Sequence, residues 1–155
     1  MDSRWKSLTA TLSTTVSQHF FETLFTFTEA WEPVPGLAKG AEVRDGGKLV
    51  VIQLREGVLF HNGKEMTSAD VIPCLERWGK SASRGPVLFA RVEKVEADGK
   101  YGVKLYLKEP FGPWDILLGF ANGGPVIYPK EVVEGAGKEP IPPQKYIGTG
   151  PYRFV

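Results

Sequence analysis

The segment from Gln53 to Val71 constrains the fold more than any other part of the 155-residue chain. It compresses a strand end, two glycine turns and a helix start into one short run. Arg55-Glu56-Gly57 and His61-Asn62-Gly63 each offer a glycine where a tight turn needs one, around the apolar piece Val58-Leu59-Phe60. Thr67 then reads as a helix N-cap with Asp70 behind it. In that arrangement the hydroxyl takes a free amide of the first turn and the carboxylate meets the positive helix end. Val71, Cys74, Leu75 and Trp78 follow at i, i+3, i+4 and i+7, the apolar stripe of one helical face. Pro73 lacks a donor and is expected to kink this helix. Gly79 and then Gly85-Pro86 are expected to end it.

On either side the pattern changes period. Ala41–Arg44 and Lys48–Leu54 flank Asp45-Gly46-Gly47, and Val87–Ala97 and Lys100–Lys108 flank Asp98-Gly99. Both are hairpin signals. Val50-Val51-Ile52 is a β-branched run suited to a strand. Val103, Leu105 and Leu107 alternate with Lys104, Tyr106 and Lys108, as in a sheet with one buried face. Nearer the start, Val16, Phe20, Phe21 and Leu24 share helical spacing, and this helix is expected to end in a turn at Pro33, Pro35 and Gly36. Further on, Trp114–Phe120 reads as a short helix and Asn122-Gly123-Gly124-Pro125 as a tight loop. Pro129 opens a helix over Lys130–Glu134, 138–145 is a proline-rich connector, and Tyr152 to Val155 starts a strand. Hairpins alternating with short helices predict an α+β fold, an antiparallel sheet of hairpins with short helices, in a single domain over 1–155.

Several kinds of chemistry find no support in these residues. Lys plus Arg is 19 against 18 for Asp plus Glu, a balance that argues against nucleic acid as a partner. No apolar run approaches the roughly 18 residues of a membrane span. The opening Met1-Asp2-Ser3-Arg4-Trp5 has no stretch of signal-peptide type, which admits a cytosolic protein or an exported one whose signal has been removed. Cys74, the single cysteine, has no partner for a disulfide, redox pair or zinc site and reads as a small buried residue. Gly135-Ala136-Gly137-Lys138 fails as a phosphate loop, because Val132 stands where the first glycine belongs and Glu139 where Ser or Thr would hold magnesium. It reads as a helix C-cap. His19 and His61 lack any metal-ligand spacing, and His61, in a turn, is expected to bond a nearby backbone group. Glu22 and Asp70 are single carboxylates, so no paired acid and base is formed. No catalytic residue, metal site or cofactor is expected.

The same segment carries a resemblance. Ile52-x-Leu54-Arg55-x-Gly57-Val58-x-Phe60-His61-x-Gly63 with Thr67-Ser68-Ala69-Asp70-Val71 resembles a signature of the extracellular solute-binding proteins of family 5, the receptors of peptide-type ABC importers. Phe21-Glu22-Thr23-Leu24-Phe25 resembles the family's "hydrophobic-E-T-L" helix. Val34-Pro35-Gly36-Leu37-Ala38 resembles its "V-P-x-L-A" turn, although Ala41 stands where a tryptophan usually follows. Lys108-Glu109-Pro110-Phe111 and Ile147-Gly148-Thr149-Gly150-Pro151-Tyr152-Arg153-Phe154 resemble two further landmarks. They occur in the family's order and cover nearly the whole chain.

The resemblance implies a fragment of lobe one of a periplasmic-binding-protein type II fold, with the extra subdomain of the peptide-binding branch. It implies a receptor that closes on its solute by a hinge, works with ABC permease subunits, and is periplasmic or extracellular, with a lipoprotein anchor as one form of the intact protein. The clamp itself is expected to lie mostly in later segments. The solute is expected to be an oligopeptide, a dipeptide or something similar. A second reading is a small α+β protein-interaction domain derived from such a receptor. Within the chain, the resemblance points to the loop Asn122, Gly123 and Gly124 as facing the cleft. Glycines there open room and expose backbone amides, although a tight turn is the plainer reading. Gly124 stands where nickel-binding relatives place an arginine. Trp31 and Trp114 are candidate stacking surfaces for a ligand, against packing as the alternative.

Overall fold

The computed structural model describes residues 18–120 and 123–153. Its centre is a four-stranded antiparallel sheet in the order β3-β4-β6-β5, formed by β3 (Ala38–Arg44), β4 (Leu49–Leu54), β5 (Val92–Ala97) and β6 (Gly102–Leu107). Both expected hairpins are present. Arg44 pairs with Leu49 across the Asp45–Gly47 turn, and Ala97 pairs with Val103 across Asp98-Gly99. β6 then folds back beside β4, so the most apolar strand lies between two neighbours. The alternation forecast for β6 holds. Val103, Leu105 and Leu107 are buried with Val50, Ile52 and Leu54 of β4. The opposite face carries ion pairs, Arg44 with Glu42, Lys94 with Glu96 and Lys104 with Asp98.

One long helix, α1 (Ser68–Ser81), covers the apolar face of the sheet. Val71, Cys74, Leu75 and Trp78 are all buried, as the stripe required. The helix runs through Pro73 as one element. The carbonyl of exposed Ala69, deprived of that donor, can turn to water. Asp70 is fully buried at the first turn, where its Oδ2 accepts the Thr67 N–H and the Thr67 hydroxyl, each at 3.0 Å. The Thr67 hydroxyl also faces the Asp70 backbone amide, so the reciprocal capping box that the sequence suggested is present, with an added bond from the hydroxyl to the carboxylate.

Other expectations need correction. Among the described residues of this stretch a helical turn is present at 18–20 alone, and Val16 lies outside the described residues. Phe21 to Leu24 is not helical, and β1 (Phe25–Phe27) pairs antiparallel with β2 (Pro33–Pro35) in a small separate sheet. The cause is long-range. The Leu24 carbonyl accepts the amides of Gly36 and Ala38, and the Thr23 carbonyl accepts that of Leu37. The segment read as a proline turn is therefore a strand, at a sheet edge where a missing N–H is tolerated. Val87 does not begin a strand, because Gly85–Phe89 forms a short helix, α2, with Pro86 in its first turn and Leu88 buried. β5 begins at Val92. Tyr152 and Arg153 form no strand, and Phe154 and Val155 lie outside the described residues.

Two further helices complete the layer, α3 (Trp114–Gly119) and α4 (Lys130–Ala136). Gly137 caps α4, its N–H donated to the Val133 carbonyl at 3.1 Å, as its C-cap reading anticipated. Cys74 meets Tyr128 through hydrogen bonds in both directions, from Tyr128 N–H to Sγ at 3.2 Å and from Sγ to the Tyr128 carbonyl at 3.4 Å. Burial pushes this thiol up to about 12, so it stays protonated and packs as an apolar group.

Candidate functional site

The loop forecast at 122–125 is anchored from both directions. Trp78 of α1 donates its indole N–H to the Gly123 carbonyl at 2.7 Å, and the Gly124 N–H bonds the Phe120 carbonyl at 2.9 Å. Gly123 has φ +81°, which disfavours any residue with a Cβ. At Gly124 a Cβ would lie 2.1 Å from the Phe120 carbonyl oxygen. The Gly124 amide is therefore engaged in closing its own turn. Gly124→Ala is expected to cost about 2 kcal/mol, because its clash is with backbone that cannot swing aside. Urea unfolding at neutral pH measures that loss. Asn122 lies outside the described residues.

Beyond the turn, Val126 forms one wall of a recess of about 280 Å³ whose other walls are Gln18, Phe21, Glu22, Thr23, Thr26 and Gly36. This recess follows from the extended course of 21–27. Phe21, Leu24 and Phe25 are buried, which leaves Glu22 and Thr26 exposed on the other side of the same backbone. Thr23 is fixed by its hydroxyl, which donates to the Phe25 carbonyl. Glu22 is the one charged side chain among the described residues of the lining. Sequence reasoning had placed Glu22 on a helix and gave Gln18, Thr23 and Thr26 no role, since their convergence depends on the pairing with 34–38.

The two tryptophans are placed elsewhere. Phe25 and Phe27 share the face of β1 opposite Thr26. Trp114 is buried, edge-on to Phe25 with centroids 5.4 Å apart. Trp31 is 75% exposed at φ +62° in the β1–β2 turn, its ring 6.0 Å from Phe27. Phe27 in turn lies 5.3 Å from Phe120, over which the Arg84 guanidinium sits at 3.9 Å. The structure thus brings Gly123 and Gly124 beside Trp78 and Phe120, with Gly124 two residues before Val126 of the recess wall. Trp31 and Trp114 lie with Phe25, Phe27 and Phe120 on the face of β1 opposite Thr26 and the recess.

Arg55, Lys64, Glu65 and Asp70 of the Gln53–Val71 segment are held in structural bonds. Arg55 donates to the Gly36 carbonyl at 2.6 Å. Glu65 accepts from Lys100, the Tyr101 hydroxyl and the Gly57 amide, and these bonds hold its carboxyl down to about 2. Asp70 pairs with Lys64 at 2.6 Å and accepts the Lys130 N–H at 3.0 Å. Among the described residues no group of three His, Cys, Asp or Glu is arranged to hold a metal ion.

Comparison with known proteins gives a consistent result. The family described as Bacterial extracellular solute-binding proteins, family 5 Middle, matches residues 32–155. The probable peptide ABC transporter periplasmic-binding protein y4tO of Sinorhizobium fredii is 30% identical over 150 residues, covering 94% of this chain and 27% of the relative. The glutathione-binding protein GsiB of Pectobacterium atrosepticum is 32% identical over 147 residues, covering 93% of this chain and 28% of that protein. The oligopeptide-binding protein AppA of Bacillus subtilis, solved in complex with a nonapeptide, superposes with a TM-score of 0.76 at 26% identity, over 92% of this chain and 29% of AppA. The chain thus spans somewhat more than a quarter of the length of these relatives.

Proposed function

The chain belongs to the bacterial extracellular solute-binding proteins of family 5, and from that membership we propose that its gene product is the receptor subunit of an ABC importer for peptide-like solutes. Members of this family are periplasmic or extracellular transport receptors, not enzymes. We assign this chain to lobe one and its attached subdomain, with ABC permease subunits as its partners. A lipid anchor on the intact protein belongs to the same proposal. The names of the relatives, peptide-binding and glutathione-binding, favour a solute with a peptide backbone.

The observation that carries the reading within this chain is the recess between the extended 21–26 segment and Val126. Its single carboxylate, with threonines beside it, suits the ammonium end of a short peptide. Gly123 and Gly124 contribute the turn that holds Val126 in place. Asn122, the residue before Gly123 in the sequence, is kept as a candidate, while Trp31 and Trp114 are assigned no contact.

Calorimetric titration of the full-length gene product with di- to nonapeptides tests this. Micromolar or tighter binding is expected, weakened about 10- to 100-fold in Glu22→Gln, the loss of one charge-assisted bond. An N-acetylated peptide should bind both forms alike. Peptide binding untouched by Glu22→Gln would remove Glu22 from the site and leave the receptor reading standing. Absence of binding to any peptide, with capture of a protein partner, would favour the interaction-domain reading.

A further inference from the structure

Two of the signature segments meet at a single imidazole. The His61 backbone N–H donates to the Gly148 carbonyl at 2.9 Å. Its ring Nε2 lies 2.8 Å from the Gly150 carbonyl oxygen, and its ring Nδ1 lies 3.3 Å from the Gly148 nitrogen. A carbonyl oxygen only accepts, so Nε2 carries the proton and donates. An amide N–H only donates, so Nδ1 carries a lone pair and accepts. The bonding thereby assigns one state of the ring, the neutral Nε2–H tautomer.

The segment held in this way is gripped on its other side as well. Gly150 N–H donates to the Phe20 carbonyl at 2.9 Å, and Tyr152 N–H donates to the His19 carbonyl at 3.1 Å. A Cβ on Gly148 would stand 2.0 Å from the Phe20 carbonyl oxygen, and one on Gly150 would stand 2.7 Å from that of His19. The glycines of Gly148-Thr149-Gly150-Pro151 are thus explained by a backbone laid directly against residues 19–20, with His61 fastening it from the opposite side.

We propose that His61 is an acid-release clasp, which fastens residues 147–152 to the body of the protein with a neutral ring and loosens them when the ring takes a second proton. A proton on Nδ1 would point at the Gly148 N–H, setting donor against donor in a half-buried position. The bond from Nδ1 is lost and the Gly148 amide is left without a partner. The ionisable groups on the segments that meet here are few. Lys64 follows the His61 turn and is tied to Asp70 and Glu131. His19 and Glu22 flank the 20–21 stretch, with His19 packed 5.6 Å from Tyr152. Lys145, Tyr146 and Arg153 lie on the 145–153 segment. These cations and the carboxylates of Glu22, Asp70 and Glu131 balance, so the loosening follows from the bond lost at Nδ1.

The test is nuclear magnetic resonance of the full-length gene product between about pH 8 and 5, the range over which imidazoles change charge. The Gly148 and Gly150 amide shifts are expected to move with the titration of the His61 ring. Exchange of the Gly148 amide, corrected for the intrinsic effect of pH, is expected to accelerate about tenfold on acidification, consistent with loss of one hydrogen bond. His61→Gln should abolish this step and His19→Gln should leave it. Amide shifts that ignore the His61 titration in the wild-type protein would overturn the proposal, whether or not the variants fold. So would a step that survives His61→Gln.

Discussion

Replacing Asp70 with alanine is expected to destabilise the protein by about 3 kcal/mol, read as a lower urea midpoint with an unchanged slope. The side chain is fully buried and accepts from Lys64 Nζ, the Lys130 N–H, the Thr67 N–H and the Thr67 hydroxyl. Alanine strips all of these donors at once. Lys64, about one-third exposed, recovers some hydration, which keeps the cost at the low end for breaking a buried pair. The two amides recover less, because they begin α1 and α4 behind that carboxylate. Burial works against charge on Asp70, but bonds from Lys64, Lys130 and Thr67 outweigh it and hold the carboxyl below its ordinary 3.8. A lowered native pKa means stability that is fully present above that ordinary value and lost as the pH falls through the native one. Asp70→Asn should therefore cost about 2 kcal/mol at pH 7 and progressively less below pH 3.8. A gap between wild type and Asp70→Asn that stays constant into strong acid would contradict the ion-pair account.

Trp78→Ala is expected to cost about 4 kcal/mol, the penalty for removing a large aromatic side chain from a packed interior. The indole is buried, packs edge-on against Phe89 at 6.2 Å and holds Gly123 through its N–H. Trp78→Phe separates these roles. It keeps an aromatic ring in the core but leaves the Gly123 carbonyl without its donor, for an expected loss of about 1 to 2 kcal/mol. The diagnostic result is local. Amide exchange at Gly123 and Gly124 should rise in Trp78→Phe by more than the global loss explains, because the turn is anchored to α1 through that bond. If exchange there follows global stability alone, the indole contributes packing and does not position the loop.

Asp70 and Trp78 both act through contacts that the sequence reveals only in part. The capping pair Thr67 and Asp70 was legible, since a helix start is a local event written within a few residues. The approach of Lys130 and Lys64 to the same carboxylate was not, because they come from the start of another helix and from a neighbouring turn. The stripe containing Trp78 was legible from its period, whereas the partner of its N–H was not. The candidate loop was found through resemblance, but the recess beyond it was missed. A helical period over Phe20, Phe21 and Leu24 concealed an extended chain whose carbonyls are claimed by Gly36, Leu37 and Ala38.

By itself, the sequence determined the features that close over short range. These are the two glycine hairpins, the alternation in β6, the capped start and buried stripe of α1, and the glycine cap of α4. It also determined the family, because five landmarks recur in order. Tertiary structure alone decided that Pro33–Pro35 is a strand, that Glu22 and Thr26 look into a recess while Trp31 and Trp114 do not, and that His61 fastens Gly148 and Gly150. The reason is physical. A turn or a cap is satisfied by neighbours in the chain, whereas a backbone carbonyl at Leu24 or an imidazole at position 61 takes whichever donor or acceptor the folded chain brings to it.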